Sequence, residues 1–419
     1  MTELTRRYLK FFRTGDRVAV ALFVVALAAG YAQFGAVASL DDVAKHFGHV
    51  TDSGTIQGVV GLSGTVIGLG LAVLRLSSLG ALPLSSLADR WGRKRVLRQI
   101  FTTGLIVTSF AALSPSYWFF VACFAFARPL LSASSTLIQV MTVELSITAV
   151  RARRLAFIAA GAGIGAGLAA VLHGLIRGPN SFRWLFASAL IFLLCVRPLL
   201  NMIPESAINT STRPSARIGA VPRDLWFRLF IVAMVAATIG MITGPANGFA
   251  FVYGEGVLKL SPHLVAFVVT LSAFTGLLGL ILGRRLADRI GRRWTTAIGV
   301  IGSALTSTFA YSGGRSSFIV GYMVGVTAAG LLAPAVAALA TEVFPESFRA
   351  TTGGWFVVAG VIGGIIGLAV FGYVSDSVHT TLTINALRVP ALVTFLPLLP
   401  SLLLLRYLPE TKDVVLSST

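Results

Sequence analysis

The chain has 419 residues, of which 55% are hydrophobic and only 12% are charged, and its mean hydropathy is +0.84. This apolar content exceeds what a soluble domain needs for its core, so a water-soluble enzyme is excluded. The formal net charge of +18 would suit a nucleic-acid partner, but most of the 34 Lys and Arg fall in segments that one membrane orientation makes cytoplasmic, so we expect no nucleic-acid partner.

Apolar runs recur from end to end, and a helix of about twenty residues crosses the roughly 30 Å hydrocarbon layer of a bilayer. We predict helices because lipid offers no partners to free backbone amides. The twelve predicted spans are 18–40, 58–86, 96–114, 117–145, 154–176, 182–203, 225–252, 261–286, 294–312, 316–343, 352–374 and 388–408. They define an all-α integral membrane protein whose surroundings are a lipid bilayer.

The basic residues set the orientation of these spans. An even number of spans places both termini on one side of the membrane. The basic N-terminus and the Arg clusters after helices 2, 4 and 8 place that side in the cytoplasm. We therefore expect a multi-pass protein of the cell (cytoplasmic) membrane with both termini cytoplasmic.

Three short motifs occur once in each half of the chain, in the same order and at nearly constant offset. LADRWGRKR at 87–95 recurs as LADRIGRRW at 286–294. Glu144 precedes Arg151 by the same spacing that separates Glu342 from Arg349. PES at 204–206 and PET at 409–411 close the two halves. A duplicated six-helix unit follows, with an N-terminal bundle at 1–203, a cytoplasmic linker at 204–224 and a C-terminal bundle at 225–419.

At these motifs the sequence resembles the major facilitator superfamily, whose loop signature between helices 2 and 3 is similar to 85–97 and to its copy at 284–296. EVFPESFRA at 342–350, with the PES and PET motifs, resembles the sugar-porter and metabolite-symporter branch. The resemblance implies two pseudo-symmetric six-helix bundles around a central cavity. It also implies transport by alternating access, in which one bundle rocks against the other.

The resemblance further implies that acidic residues at cytoplasmic helix ends pair with arginines of neighbouring loops in one state and separate in the other. Such pairs would bias a two-state equilibrium. The alternative is a set of static surface pairs worth roughly 0–1 kcal/mol each. The residues with this expected gating role are Asp89, Arg90, Gly92, Arg93, Glu144, Arg151, Arg154, Glu205, Asp288, Arg289, Gly291, Arg292, Glu342, Arg349 and Glu410.

Two arginines, Arg75 and Arg128, fall near the middle of predicted spans, where an ionisable group is costly and marks a candidate site. ARPLLSA, which begins at Arg128, resembles the family's helix 4 motif, and in relatives this arginine often faces a carboxylate on helix 1. This chain has Ala32 where proton-coupled sugar porters tend to have Asp. An anionic solute would supply the missing charge and accept paired hydrogen bonds. The alternatives are hydrogen bonds to backbone carbonyls, or a snorkelling Arg75.

Further candidates for substrate or coupling contacts are polar residues within or beside the spans. Gln33 and Gln139 are expected either to line the solute path or to hydrogen-bond between helices. Helix 7 is expected to break at Gly244, Pro245 and Gly248, with Asn247 and Tyr253 able to bind a solute and Glu255 able to titrate. The alternative is a structural kink with an interfacial tyrosine. His173 either relays protons or is a satisfied interfacial histidine.

These observations favour secondary transport of a small organic solute, with a preference for an anionic metabolite taken up with protons. A drug or metabolite exporter, a sugar facilitator and a non-transporting membrane sensor remain alternatives. We expect no enzyme activity, because no nucleophile and base or paired carboxylates fall at mid-membrane. Cys123 and Cys195 lie in separate apolar runs, so neither a disulfide nor a metal site is expected. No cofactor is implied, and we expect a monomer.

Overall fold

The computed structural model describes residues 3–51, 55–176, 178, 180–204, 222–345, 348–377 and 387–412, and in these residues the secondary structure is helical without a strand. Residues 205–221 of the predicted linker at 204–224, Glu205 among them, lie outside the described residues. We number the long helices α1 to α12 in chain order: α1 Glu3–Ala38, α2 Gly64–Trp91, α3 Arg93–Leu113, α4 Tyr117–Glu144, α5 Thr148–Leu175, α6 Ser181–Met202, α7 Arg223–Gly248, α8 Pro262–Ile290, α9 Arg292–Ala310, α10 Arg315–Glu342, α11 Arg349–Ser377 and α12 Arg388–Leu405.

Within the described residues, eleven of these helices are long and apolar enough to cross a membrane, and α9 is the exception. α9 carries the buried hydroxyl residues Thr295, Thr296, Ser303 and Ser307. Thr295 and Thr296 donate to the carbonyls of Gly291 and Arg292, both at 2.8 Å. A helix whose hydroxyls bond to its own backbone tolerates an apolar environment despite a modest hydropathy.

The packing divides the chain into two compact units. The first unit consists of Met1–Val43 and Ser77–Ser211. Its core is built from apolar side chains of α1, α3 and α4, such as Leu22, Phe101 and Leu137. α1 lies against α5, where the backbones approach closely.

The second unit consists of Ala44–Leu76 and Thr212–Thr419. In this unit α8 and α9 both pack on α10, and α7 packs on α11. Its apolar core includes Ile231, Leu332 and Phe344. The first part of α2 belongs here, and its Gly68 lies against the backbone of α11 at Leu368 and Gly372. The predicted bundle limits at 203 and 225 stay a prediction.

Three helices differ from the sequence prediction in how they are interrupted. α6 is split at Ser188, because the Tyr31 hydroxyl hydrogen-bonds both the Leu185 carbonyl (2.9 Å) and the Ser188 hydroxyl (2.6 Å). α12 consists of Arg388–Val393 and Leu398–Leu405. The residues between them form turns before Pro397, which has no N–H to donate to the helix ladder. α7 ends at Gly248, and a short π-helix follows at Val252–Val257.

Candidate functional site

A polar stripe runs along α4 in the first unit. Arg128, Ser132, Ser135 and Gln139 follow one another at spacings of three and four residues, which place side chains on one helix face. Gln33 of α1 meets this stripe: its Nε2 donates to the Ser135 hydroxyl at 3.2 Å, and its Oε1 accepts from the Ser132 hydroxyl at 3.4 Å. The structure therefore brings Gln33 to the face of α4 that carries Arg128.

The side chains of this stripe differ in solvent exposure along the helix. Arg128, Ser132 and Ser135 are half-buried, and Gln139 is exposed. Ser132 and Ser135 are residues that the sequence reasoning missed, although their spacing from Arg128 carried the signal. The stripe offers guanidinium, hydroxyl and amide donors side by side, a set suited to a carboxylate.

Arg75 lies in the second unit, whereas Arg128 belongs to the first. It is half-buried and passes over the glycine face of α11. Its Nε is 3.0 Å from the point where a Cβ on Gly364 would stand. Any larger residue at Gly364 would therefore push against the guanidinium. The absence of a side chain at Gly364 leaves the space that the Arg75 side chain fills.

The predicted break of helix 7 matches the end of α7 at Gly248 but is wrong at Gly244 and Pro245. α7 continues through both residues to Gly248, and a short π-helix follows at Val252–Val257. The glycines serve close packing instead: a Cβ on Gly240 would strike the carbonyl of Gly360 on α11. A π-helix widens the backbone turn and frequently marks a functional site, so the irregularity lies one turn later than the sequence suggested.

Asn247 lines a cavity of about 140 Å³ between α7, α9 and α10. The Asn247 side chain donates from Nδ2 to the Thr243 carbonyl at 2.8 Å and accepts from the Tyr322 hydroxyl at 3.3 Å.

The Tyr311 hydroxyl, in the same cavity, donates to the Ala246 carbonyl at 3.0 Å. Ser303 also lines the cavity. Except for Asn247 these residues were missed, although Ser303, Ser307 and Tyr311 follow one another at four-residue spacing.

Tyr253 and Glu255 both lie in the π-helix and are buried. The Tyr253 hydroxyl accepts the N–H of Gly313 at 3.1 Å, and its ring centroid is 4.9 Å from that of Tyr311. Burial raises the pKa of Tyr253 to about 12, so its hydroxyl keeps its proton at neutral pH. Contact of either residue with a solute stays a prediction.

The charged motif at the α2–α3 junction forms an ion-pair network. The Arg93 guanidinium is 2.9 Å from Asp89 Oδ1 and also contacts the Glu144 carboxylate at the end of α4. Gly92 separates the two helices with φ of 92°, a conformation that favours glycine. Arg154 donates to the Leu145 carbonyl and the Ser146 hydroxyl, each at 3.3 Å.

The second copy of the motif repeats this arrangement at the α8–α9 junction. Arg292 lies 3.5 Å from Asp288 and 3.3 Å from Glu342. Glu410 accepts the backbone N–H groups of Arg292 at 2.7 Å and of Arg293 at 3.2 Å. A Cβ on Gly291, whose φ is 104°, would strike the Glu410 carboxylate. Position 291 therefore requires glycine, because its φ is positive and because a side chain would collide with Glu410.

The remaining predicted gating residues have other surroundings. Arg349 donates to the Phe344 carbonyl at 3.3 Å, and the Arg289 carbonyl accepts from Lys412 at 2.8 Å. Arg90 is exposed, and Arg151 makes no ion pair with a carboxylate in the described residues. The networks of Arg93 and Arg292 exist in the structure, whereas their switching role stays a prediction.

The chain is similar in sequence to a known protein family and to named transporters. The family model described as Major Facilitator Superfamily matches residues 19–258 and 229–418. The cis,cis-muconate transport protein of Acinetobacter baylyi is 25% identical over 73% of this chain and 80% of its own length. The gentisate transporter of Corynebacterium glutamicum is 25% identical over 75% of this chain and 74% of its own.

Among solved structures, the inward-open xylose transporter XylE from E. coli superposes with a TM-score of 0.70 at 17% identity, covering 96% of this chain and 98% of that chain. At this identity the likeness concerns the fold alone. It confirms the predicted fold class of helices in two halves.

Proposed function

Because the chain belongs to the Major Facilitator Superfamily, we propose that it is a secondary transporter that carries a small organic anion across a cytoplasmic membrane together with protons. It is a multi-pass membrane transporter of a small organic solute, not an enzyme. The anionic nature of the solute, the coupling to protons, the cytoplasmic placement of both termini and the monomeric state belong to the proposal.

The polar stripe of α4 is the observation that carries the anion proposal. Arg128 holds a permanent positive charge in an apolar helix, and the Gln33–Ser132–Ser135 hydrogen bonds adjoin it on the same face. Guanidinium donors form a fork that matches a carboxylate in bidentate geometry. A carboxylate at this stripe would offset the charge of Arg128 and accept from the neighbouring hydroxyls.

The substrates named for the two relatives support the same class of solute. Muconate and gentisate are both carboxylates at neutral pH, and both relatives cover most of this chain. We therefore propose an unsaturated or aromatic carboxylate rather than a hexose or a cationic drug. The Asn247 cavity, with its tyrosine and serine hydroxyls, is a second candidate site for polar groups of a solute.

Alternating access would draw on the two ion-pair networks. Arg93 and Arg292 each hold two carboxylates of their own unit. Breaking such pairs in one state and reforming them in the other would bias the equilibrium between the states. In this proposal the networks switch the protein and the α4 stripe binds the solute.

A ligand-binding panel tests the proposed solute class. We expect cis,cis-muconate or gentisate to raise the melting temperature of the purified protein, because a ligand that binds the folded state stabilises it. In Arg128→Gln this stabilisation should vanish. At a ligand concentration of about 100 Kd the stabilisation is about 2.7 kcal/mol, which is well within the range of a melting assay.

Arg315→Gln is the matched control, since it removes an exposed arginine at the start of α10 and should leave the stabilisation intact. Stabilisation by xylose or by a cationic drug, with no response to either acid, would contradict the anion proposal.

A further inference from the structure

A histidine near the end of α5 is buried beside an aspartate. His173 is 3% exposed, and its Nδ1 lies 3.5 Å from Asp42 Oδ2. The Ser181 hydroxyl of α6 donates to the same Oδ2. Asp42 follows α1 in the short helix Leu40–Phe47, so three elements of the first unit converge on one carboxylate oxygen.

The chemistry of this group suits reversible proton binding. Imidazole is the side chain whose unperturbed titration falls between about pH 5 and 8. A carboxylate away from bulk water is stable as an anion when it is paired or hydrogen-bonded, and Asp42 has both kinds of partner. With a proton on His173 the two residues form an ion pair. Without that proton, the Ser181 hydroxyl still donates to the Asp42 carboxylate.

The other polar and charged groups around His173 are few in the described part of the first unit. The turn after α1 contributes Asp41, which is buried, in addition to Asp42. α6 contributes Ser181 and, two residues later, Arg183. The Arg183 guanidinium donates to the carbonyls of Ala112 at 2.8 Å and Ser114 at 3.0 Å. Among these groups, the Asp42 carboxylate lies 3.5 Å from His173 Nδ1 and forms an ion pair with the protonated imidazole.

Asp42 also gives the buried imidazole a route to water. Its side chain is 29% exposed, against 2% for that of His173. In the predicted orientation this turn lies on the outer side of the membrane, so external protons reach the pair through the carboxylate. The chain leaves the first unit directly after Val43, one residue beyond Asp42.

We propose that Asp42, His173 and Ser181 form the proton-binding site that couples transport to the proton gradient. This inference rests on the proposed function, because coupling presupposes proton-driven transport. It assigns the proton to residues that are separate from the α4 stripe. Glu255, buried in the second unit, is the competing proton carrier.

The titration of His173 is measured directly by NMR of the purified protein with labelled histidine rings. The chain has five histidines, and the resonance lost in His173→Gln assigns the one of interest. We expect this resonance to titrate reversibly between about pH 5 and 8 and its midpoint to move in Asp42→Asn, because the pair titrates as a unit. A His173 resonance that stays in one protonation state over this range would overturn the proposal.

The coupling is measured with gentisate in proteoliposomes. A gradient of about one pH unit supports about tenfold accumulation of a monoanion carried with one proton, since both correspond to the same free energy. In His173→Gln we expect this accumulation to disappear while counterflow of gentisate, which needs no gradient, stays within about twofold of the wild type. The control His49→Gln changes an exposed histidine and should accumulate gentisate normally.

Accumulation that persists in His173→Gln but is lost in Glu255→Gln would transfer the coupling role to Glu255 and overturn the proposal. A wild type that binds and accumulates no organic acid, while the His173 resonance still titrates, would contradict the proposed function and reject coupling at this site. In that outcome the NMR result would still establish a proton-binding site.

Discussion

Individual glycines of α5 have very different surroundings, although they belong to one small-residue run at 161–167. A Cβ on Gly165 would collide with the Leu27 carbonyl of α1, and one on Gly161 would meet Phe23. A Cβ on Gly163 has nothing within 4 Å. The run predicts a close helix contact from the sequence, but its partner helix and the glycine that makes the contact depend on the rotation of α5 about its axis.

Gly165→Ala should therefore destabilise the protein, because the added methyl group forces α1 and α5 apart. Overpacking of this kind typically costs about 1–3 kcal/mol. Gly163→Ala, two residues away, should be neutral or raise the melting temperature, since alanine favours a helix over glycine by about 1 kcal/mol. Thermal melting of the two purified variants compares them. Equal effects of the two substitutions would show that α5 does not present Gly165 to α1.

Single residues of the candidate site were predicted unevenly. Arg128 and Gln33 were found because a polar residue in an apolar run is conspicuous, and the structure places them on facing surfaces of α4 and α1. Ser132 and Ser303 were missed, because a serine in a membrane helix most often bonds to its own backbone. The partners of Asp42 could not be predicted, since nothing local indicates that α5 and α6 supply them.

Among the helices, α2 shows how a distant residue sets the start of an element. The sequence predicts a span from 58, whereas α2 begins at Gly64, after the short helix Ile56–Val60 and Gly61 with φ of 94°. The Asp376 carboxylate of α11 accepts the N–H groups of Gly64 at 2.7 Å and Thr65 at 2.8 Å, and the Thr65 hydroxyl at 2.6 Å. Because Asp376 is far from Gly64 in the sequence, the residues around Gly64 carry no signal that predicts this cap.

Asp376→Ala should loosen this first turn of α2. Capping interactions of a carboxylate at a helix N-terminus are worth about 1 kcal/mol, so amide exchange at Gly64 and Thr65 should quicken about fivefold. Hydrogen exchange followed by mass spectrometry on peptides from this region measures the rate. Ser377→Ala, which changes an exposed neighbour, is the control. Unchanged exchange in Asp376→Ala would show that the carboxylate does not hold the turn.

The sequence predicted where helices occur more reliably than where those helices are interrupted. All the predicted spans correspond to helices in the described residues, because apolar length is a direct physical requirement for crossing lipid. The interruptions of α6 and α12 and the π-helix after α7 depend on tertiary hydrogen bonds and on prolines. Pro245 was expected to break α7, but the helix continues through it to Gly248, and Gly240 and Gly244 before it lie close to the backbone of α11.

At the scale of the whole molecule, the internal repeat is expressed in the structure as two equivalent charge networks. Arg93 and Arg292 occupy corresponding positions after a glycine with positive φ, and each bridges an aspartate and a glutamate. The sequence repeat predicted this correspondence. Glu410 was also expected among the gating residues, but the sequence did not predict that it holds the start of α9 through the two backbone N–H groups of Arg292 and Arg293.

Uptake of gentisate and cis,cis-muconate into proteoliposomes tests the central claim most directly. With an inward proton gradient of about one pH unit, we expect about tenfold accumulation of gentisate, a monoanion at neutral pH, and its loss when a protonophore collapses the gradient. Arg128→Gln should show no uptake of either acid, and Arg315→Gln should match the wild type. Uptake of the acids at the same rate and to the same level with and without the proton gradient would contradict the account of an organic-anion transporter driven by protons. Transport of xylose without transport of either acid would contradict it as well.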